Sequence, residues 1–135
     1  MSLLKEIGLM KTLTTLITIL FISLLSSPSW SDIVSMDDLV ERNDLYFEKF
    51  TNTPFTGEVS GRNKGSIKNG KRDGVWINYW SNGQLKSEEN YKDGKLDGVV
   101  ERYHKNGQLA AKGNYKDGKL DGVVERYRKN GQIAA

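Results

Sequence analysis

Short stretches of alternating polar and apolar residues run along most of the chain, and dipeptides that favour turns separate them. Such alternation is typical of strands that bury only one face. Two examples are Gly98 to Lys105 and Gln108 to Lys116, on either side of Asn106-Gly107. A turn dipeptide between two alternating stretches indicates a β-hairpin, so the pattern predicts an all-β fold built from antiparallel hairpins.

The turn dipeptides recur at a fixed interval in the second half of the chain. Asn82-Gly83, Asn106-Gly107 and Asn130-Gly131 lie 24 residues apart, and Asp93-Gly94 and Asp117-Gly118 keep the same spacing. A constant period in the range of roughly 20 to 50 residues is typical of repeat proteins. The stretch from residue 85 to residue 135 is therefore predicted to fold as stacked copies of one structural unit.

The turn residues predict how each unit is closed. Asn-Gly is a favoured two-residue hairpin turn, because both central residues of that turn have positive φ and Asn and Gly accept this readily. We therefore expect Asn106-Gly107 to close a hairpin by itself. Asp93-Gly94 and Asp97-Gly98 are expected to reverse the chain into the next unit.

Alternation along the strands assigns side chains to faces. Val99, Glu101 and Tyr103 are predicted on one face, and Val100, Arg102 and His104 on the other. A step of 24 residues lines up equivalent residues in three ladders: Tyr79, Tyr103 and Tyr127; Tyr91 and Tyr115; Leu85, Leu109 and Ile133. Because a lone hairpin is only marginally stable, we expect the stability to come from the number of units.

Three segments follow from these patterns: a leader at residues 1–31, an acidic segment at residues 32–54 and the repeat array at residues 55–135. In the acidic segment, two apolar stretches at residues 39–40 and 45–47 flank Asn43-Asp44, which predicts a hairpin. A helix is the alternative, because four residues also have helical spacing: Met36, Leu39, Val40 and Asn43.

The first 31 residues have the plan of a secretory signal peptide. Lys11 precedes an uncharged apolar run, Leu13 to Leu25, and the small residues Ser29 and Ser31 favour cleavage before Asp32. The run is shorter than the roughly 20 residues of a membrane-spanning helix. We expect export across the inner membrane, to the periplasm or outside the cell. An uncleaved helical anchor is one alternative, and a start at Met10 is another.

The formal net charge of +3 is unevenly distributed. Residues 32–61 include two basic and seven acidic residues, whereas residues 62–135 include sixteen basic and nine acidic ones. Residues 62–135 therefore have a net charge of +7, and residues 32–61 have a net charge of −5. Lysines beside turns keep a thin sheet soluble. The same positive charge also suits an acidic protein or an anionic lipid surface.

Few residues of this chain are suited to catalysis or metal binding. The chain has no cysteine, and His104 is its only histidine. Trp80 and Arg128 hold the equivalent positions, so we interpret His104 as a surface residue rather than a general base. The recurring aspartates lack the spacing of a calcium loop, and the glycines lack a phosphate-binding motif. The sequence therefore predicts no enzyme, no cofactor, no metal site and no small-molecule substrate. Given export, it predicts no nucleic-acid partner.

The motif YKDGKLDG, followed by YxxNGQ and an aliphatic residue, occurs at Tyr91 to Leu109 and again at Tyr115 to Ile133. It resembles the second variant of the MORN repeat, which defines the bacterial YwqK-family antitoxins. The stretch at residues 39–61 resembles the segment that precedes their arrays. The resemblance implies a meander of antiparallel hairpins in one elongated, twisted sheet. The chain departs from the family at Val100 and Val124, where Trp is frequent, as at Trp76.

The chain stops three residues after Asn130-Gly131-Gln132. A repeat array is expected to end in a capping element. We therefore expect either a fragment or an end that pairs with another copy.

These patterns favour a binding role over a catalytic one. We expect an exported, non-enzymatic module whose sheet binds another protein, and the resemblance narrows this to an antitoxin that neutralises its partner by covering it. An anionic membrane surface is the alternative partner, because the array is basic. The expected contact residues are aromatic or basic: Trp76, Tyr79, Trp80, Lys95, Arg102, Tyr103, Lys119, Arg126 and Tyr127.

Overall fold

A computed structural model describes residues 32–134 of the chain. The predicted signal peptide, its helix and its anchor alternative lie outside these residues. Within them the protein is all-β, with one short 3₁₀ turn at Met36–Asp38. No helical segment among them has the length and hydropathy of a membrane span. The strands are β1 (Asp32–Ser35), β2 (Leu39–Arg42), β3 (Leu45–Glu48), β4 (Gly57–Ser60), β5 (Asn63–Lys68), β6 (Lys71–Tyr79), β7 (Leu85–Lys92), β8 (Lys95–Tyr103), β9 (Leu109–Lys116), β10 (Lys119–Leu120) and β11 (Glu125–Arg126).

Nine of the strands form one sheet in the order β1, β4, β5, β6, β7, β8, β9, β10, and β11 also pairs with β9. From β4 to β10, each strand is antiparallel to the next strand along the chain, so the predicted meander is confirmed. β1 is the exception, because it pairs in parallel with β4. The sequence did not predict this parallel pair.

The hairpin predicted before the array is confirmed. β2 and β3 pair with each other around Asn43 and Asp44, which have φ of 52° and 60°. Asn and Asp tolerate this left-handed backbone better than most residues do. The helical alternative is wrong, because only Met36–Asp38 is helical and the residues that follow are extended.

The two-residue turns lie between units, at Asp93-Gly94 and its equivalents, and not at the Asn-Gly loops within the units. Asp93 and Gly94 have φ of 50° and 81° and join β7 to β8, and Asn69-Gly70 and Asp117-Gly118 have the same signs of φ. In each turn the second position is glycine because its φ is positive and an earlier part of the chain packs against it, as Lys71 does at Gly94 and Lys95 does at Gly118. These turns link consecutive units, as expected for Asp93-Gly94.

The Asn-Gly loops are one residue longer than predicted. Only Gly107 has positive φ, at 84°. Its N–H donates to the carbonyl of His104 at 2.9 Å, and the N–H of His104 donates to the carbonyl of Gln108 at 2.8 Å. This closes a three-residue loop over residues 105–107, and Asn106 accepts from the N–H of Gln108 through its side chain. Our prediction of a two-residue turn is therefore wrong, although the hairpin itself is present.

Asp97-Gly98 does not reverse the chain, which corrects a second expectation. Both residues lie inside β8, where Gly98 has φ of 117°. The register between β7 and β8 shifts here, because Glu89 pairs with Val100 whereas Tyr91 pairs with Leu96. The glycine therefore permits a bulge within a continuous strand.

The core lies between the β2–β3 segment and the first strands of the array. Its buried residues are Leu39, Phe55, Val59, Ile67 and Trp76. Trp76 is completely buried and lies against Gly65, where an added Cβ would be 2.6 Å from the indole ring. The acidic segment thus contributes Leu39 to this core, and its partly buried residues Val34, Met36 and Tyr46 pack against it.

Hydrogen bonds between successive units fix the 24-residue period at both ends of the strands. At the aspartate turns, the N–H groups of Gly94 and Gly118 donate to the carbonyls of Arg72 and Leu96, at 2.9 and 2.8 Å. At the Asn-Gly loops, the side chains of Asn82 and Asn106 donate to the carbonyls of Lys105 and Lys129, at 3.0 and 2.9 Å. Each unit is therefore bonded to the next at both edges.

The predicted tyrosine ladder has the expected spacing but different neighbours. Across its own hairpin, Tyr79 faces Leu85 and Tyr103 faces Leu109. Tyr127 faces Ile133 in the same way. Because another strand separates tyrosines of successive units, each tyrosine pairs with an aliphatic residue of its own unit rather than with the next tyrosine.

Candidate functional site

Two bulges shape the sheet beside the Asn-Gly loops. Asn78 pairs with Ser87 but Tyr79 pairs with Leu85, which leaves Lys86 as an extra residue on β7. The same shift in the next hairpin leaves Ala110 as the extra residue on β9. A bulge changes the direction in which side chains point. Both extra residues line an open groove beside these loops.

This groove, which we call the basic groove, has a volume of about 640 Å³. It extends across β7, β8 and β9 and reaches the loop at residue 129. Its lining residues are Trp80, Lys86, Ser87, Glu89, Arg102, Tyr103, His104, Lys105, Ala110 and Lys129. Its size lies within the range of pockets that hold ligands or side chains of a partner.

Trp80 provides the aromatic surface of the basic groove. Its indole nitrogen donates to the carbonyl of Tyr103 at 3.1 Å, which fixes the plane of the ring. The ammonium groups of Lys86 and Lys105 lie 5.1 and 5.4 Å from the ring centroid. Cations at this distance from an indole are attracted by its π-electrons.

The cations of the basic groove have no acidic partner within ion-pair distance. Across residues 32–134 the ion pairs are Lys112 with Glu101 and Lys116 with Asp97, and both lie outside the groove. The single acidic residue of the lining is Glu89, whose carboxylate accepts from the hydroxyl of Tyr91 at 2.9 Å. Four strong bases against one acid give the groove an unbalanced positive charge.

Tyrosine–glutamate pairs recur beside the groove. The hydroxyl of Tyr103 donates to the carboxylate of Glu101 at 2.5 Å. This bond, burial and the charge of Glu101 raise the pKa of Tyr103 to about 12. The ammonium of Lys112, followed by the Tyr103 hydroxyl, holds the pKa of Glu101 below its ordinary value. These carboxylates are thus already hydrogen-bonded within the sheet.

A second cavity of about 570 Å³ lies where the β2–β3 hairpin meets the array. Arg72 stands at its edge, 4.5 Å from the ring centroid of Trp76, and donates to the hydroxyls of Tyr46 and Tyr91 at 3.2 and 3.4 Å. Its guanidinium joins the hairpin to the sheet through stacking and hydrogen bonds. We interpret this cluster as structural.

The structure separates the nine predicted contact residues into several places. Trp80, Arg102 and Tyr103 line the basic groove. Arg126 lines a smaller cavity in the next unit, where Tyr127 is half-buried and its hydroxyl donates to Glu125 at 2.7 Å. Tyr79 lies under the ammonium of Lys64, 5.2 Å from its ring. Lys95 and Lys119 begin β8 and β10, next to the Asp-Gly turns at the opposite end of the strands. Trp76 lies in the core without exposed surface.

Several residues of the groove were missed from the sequence. Lys105 and Lys129 recur beside the Asn-Gly loops, so their spacing was a usable signal. Lys86 enters the groove through a bulge that no local pattern reveals. His104 is half-buried, and its Nε2 donates to the carbonyl of Tyr127 at 2.9 Å, so it is more than a surface residue.

Nothing in residues 32–134 brings three His, Asp or Glu side chains close enough together to hold a metal ion. The groups that the structure gathers are instead an indole, ammonium and guanidinium groups, and hydrogen-bonded tyrosines. Such groups recognise anionic or aromatic surfaces by contact.

The repeats have counterparts among known protein families. Residues 72–93 and 96–117 each match the family described as MORN repeat variant. Each match extends from the first part of β6 or β8 to the aspartate turn that ends its hairpin, so one match corresponds to one structural unit. MORN repeats generally act as non-catalytic modules that bind proteins or membranes. Neither the curated proteins nor the solved structures gave a match to the chain.

Proposed function

We propose that this protein is an exported, non-enzymatic binding module that neutralises a partner protein by covering part of its surface, as an antitoxin does. The observation that carries the proposal is the basic groove, whose lining lies on the two matched repeats except for Lys129. There Trp80 and four cations without acidic partners are held on a sheet that hydrogen bonds keep in register. Aromatic and arginine side chains are the residues that most often dominate protein–protein contacts.

The test is affinity capture with the purified protein as bait and the native envelope fraction as the source. The groove variant is Lys105→Gln with Lys129→Gln. A matched control, Lys68→Gln with Lys92→Gln, removes the same charge from exposed sites outside the groove. We expect the wild type and the control to retain one protein and inhibit its activity, and the groove variant to lose both effects. Equal retention by all three, or no retained protein, contradicts the proposal.

An anionic membrane surface is a second candidate partner. The net charge of +7 over residues 62–135 favours it, because each Lys or Arg near an anionic membrane contributes about 1 kcal/mol. Flotation with vesicles that contain phosphatidylserine tests this candidate. Binding that requires all the exposed lysines equally would favour the membrane, whereas protein recognition is expected to depend on Trp80 and the groove.

Export is part of the proposal and has its own test. The apolar run of residues 13–25, with Ser29 and Ser31 before Asp32, supports a cleaved signal. Mass spectrometry of the protein from its host should find a mature N-terminus at Asp32 in the exported fraction. Protein that keeps residues 1–31 and stays with the membrane would favour the anchor alternative.

A further inference from the structure

The charges of the basic groove indicate what kind of segment it binds. Lys86, Arg102, Lys105 and Lys129 line the groove, and within residues 32–134 no carboxylate forms an ion pair with them. Cations held close together repel each other and are stabilised when an anionic group enters. Arg102 is suited to a carboxylate, because a guanidinium can donate two parallel hydrogen bonds to it.

The groove also has an apolar component that a purely electrostatic site would not need. The ring of Trp80 is held in place by its bond to Tyr103, and the small side chain of Ala110 leaves room beside the bulge. An aromatic or aliphatic side chain of the partner can lie on this surface and exclude water from the neighbouring charges. Water exclusion strengthens the attraction between opposite charges.

The position of the groove favours an extended chain. It crosses successive strands, which are spaced roughly 4.8 Å apart, and its lining reaches from Trp80 to Lys129, two units further along the array. A planar membrane touches protruding cations, whereas a peptide can enter a recess and reach cations on its walls. The concave shape therefore favours a peptide over a lipid surface.

We propose that the basic groove binds an extended, acidic segment of the partner protein. In this arrangement carboxylates of the segment pair with Arg102, Lys105 and Lys129, and an apolar side chain of the segment lies on Trp80. This inference rests on the proposed function, because it specifies the part of the partner that the module recognises. It implies that a partner surface rich in aspartate and glutamate becomes covered in the complex.

Fluorescence anisotropy with a labelled, glutamate-rich peptide that has one central phenylalanine tests the inference. We expect the purified protein to bind it and affinity to fall with salt, since exposed charges are screened. Lys105→Gln with Lys129→Gln should weaken binding by about tenfold or more, and the control pair Lys68→Gln with Lys92→Gln by less than about twofold. Circular dichroism checks that all variants are folded.

Three further arms identify the ligand class. A lysine-rich peptide of the same length should not bind, and phosphatidylserine vesicles should not compete with the acidic peptide. Replacing the phenylalanine of the peptide by glycine should weaken binding to the wild type. Absent binding of the acidic peptide, equal losses in both variant pairs, or competition by vesicles would each overturn the inference.

The two proposals can fail separately. If the captured envelope protein requires Lys105 and Lys129 but the acidic peptide does not bind, the acidic segment is wrong and the binding module stands. If the peptide binds in the groove but no envelope protein is captured, neutralisation of a partner in that compartment is wrong and the preference of the groove for acidic chains stands.

Discussion

Trp80 and His104, 24 residues apart, bond forward to the next unit in the same way. The indole nitrogen of Trp80 donates to the carbonyl of Tyr103 at 3.1 Å, and Nε2 of His104 donates to the carbonyl of Tyr127 at 2.9 Å. Each of these two side chains offers a planar ring with an N–H that reaches the carbonyl. This explains how two chemically different residues can alternate there without change in the fold.

The equivalence predicts the effects of substitutions at His104. His104→Trp should keep the stability of the protein, because the indole can donate the same bond. His104→Leu should lower the free energy of unfolding by about 1 kcal/mol, since it leaves the half-buried carbonyl of Tyr127 without this donor. Urea denaturation measures both. A leucine variant as stable as the wild type would show that the ring only fills space.

Two glycines in equivalent strand positions should respond differently to alanine. A Cβ at Gly65 would lie 2.6 Å from the buried ring of Trp76, whereas at Gly113 the nearest atom is a methyl group of Val124 at 3.3 Å. Gly65→Ala should therefore destabilise the fold by roughly 1–3 kcal/mol through overpacking. Gly113→Ala should change stability much less, because the atom it meets is a methyl group of the partly buried Val124 side chain, which has to shift by only a few tenths of an ångström. Similar losses at both sites, measured by thermal unfolding, would contradict the packing described for Trp76.

The bond between Tyr103 and Glu101 should appear in alkaline titrations. The pKa of Tyr103 is raised to about 12, from about 10 for an ordinary tyrosine. The bond therefore contributes its full stability below about pH 10 and loses it as pH rises through about 12. Tyr103→Phe should remove a phenol that ionises near pH 12 from the absorbance titration and should reduce the loss of stability over this range.

Glu101→Gln is the matching variant for that titration. It removes the acceptor charge that raises the pKa of Tyr103, so the phenol should ionise closer to pH 10. If a phenol that ionises near pH 12 persists in Glu101→Gln, the raised pKa of Tyr103 has a cause other than Glu101.

Phe50 occupies a strained and fully exposed position. Its φ is 68°, and its ring has no packing to lose on substitution. Phe50→Asn should stabilise the protein by up to about 1 kcal/mol, because asparagine accepts the left-handed backbone more readily. Phe50→Ala should not give this gain, since alanine has the same Cβ clash. Equal stabilities of the two variants in urea denaturation would show that the backbone is not strained there.

The meander was predictable because two local signals agreed. Alternation around Asn106-Gly107 indicated the hairpins, and the 24-residue spacing indicated their stacking. The turn types were not predictable from dipeptides alone. Both Asp93-Gly94 and Asn106-Gly107 suit tight turns, and the number of residues that each loop uses depends on the register of the flanking strands.

Only part of the candidate site could be read from the sequence. Trp80, Arg102 and Tyr103 were predicted as contact residues because they are aromatic or basic, and they do line the groove. The burial of Trp76 depends on its contact with Gly65, and the direction of Lys86 depends on a bulge. Both are consequences of strand register, which a local pattern does not specify.

The most direct test of the account is a hydrogen-exchange footprint of the protein in complex with the partner that it captures. Backbone exchange should slow in the segments 80–89 and 102–110, which contain nine of the ten residues that line the basic groove, and stay unchanged at residues 57–68 on the first strands. Protection confined to residues 57–68 or to the aspartate turns, with none at the groove, would contradict the claim that this face of the repeats binds the partner.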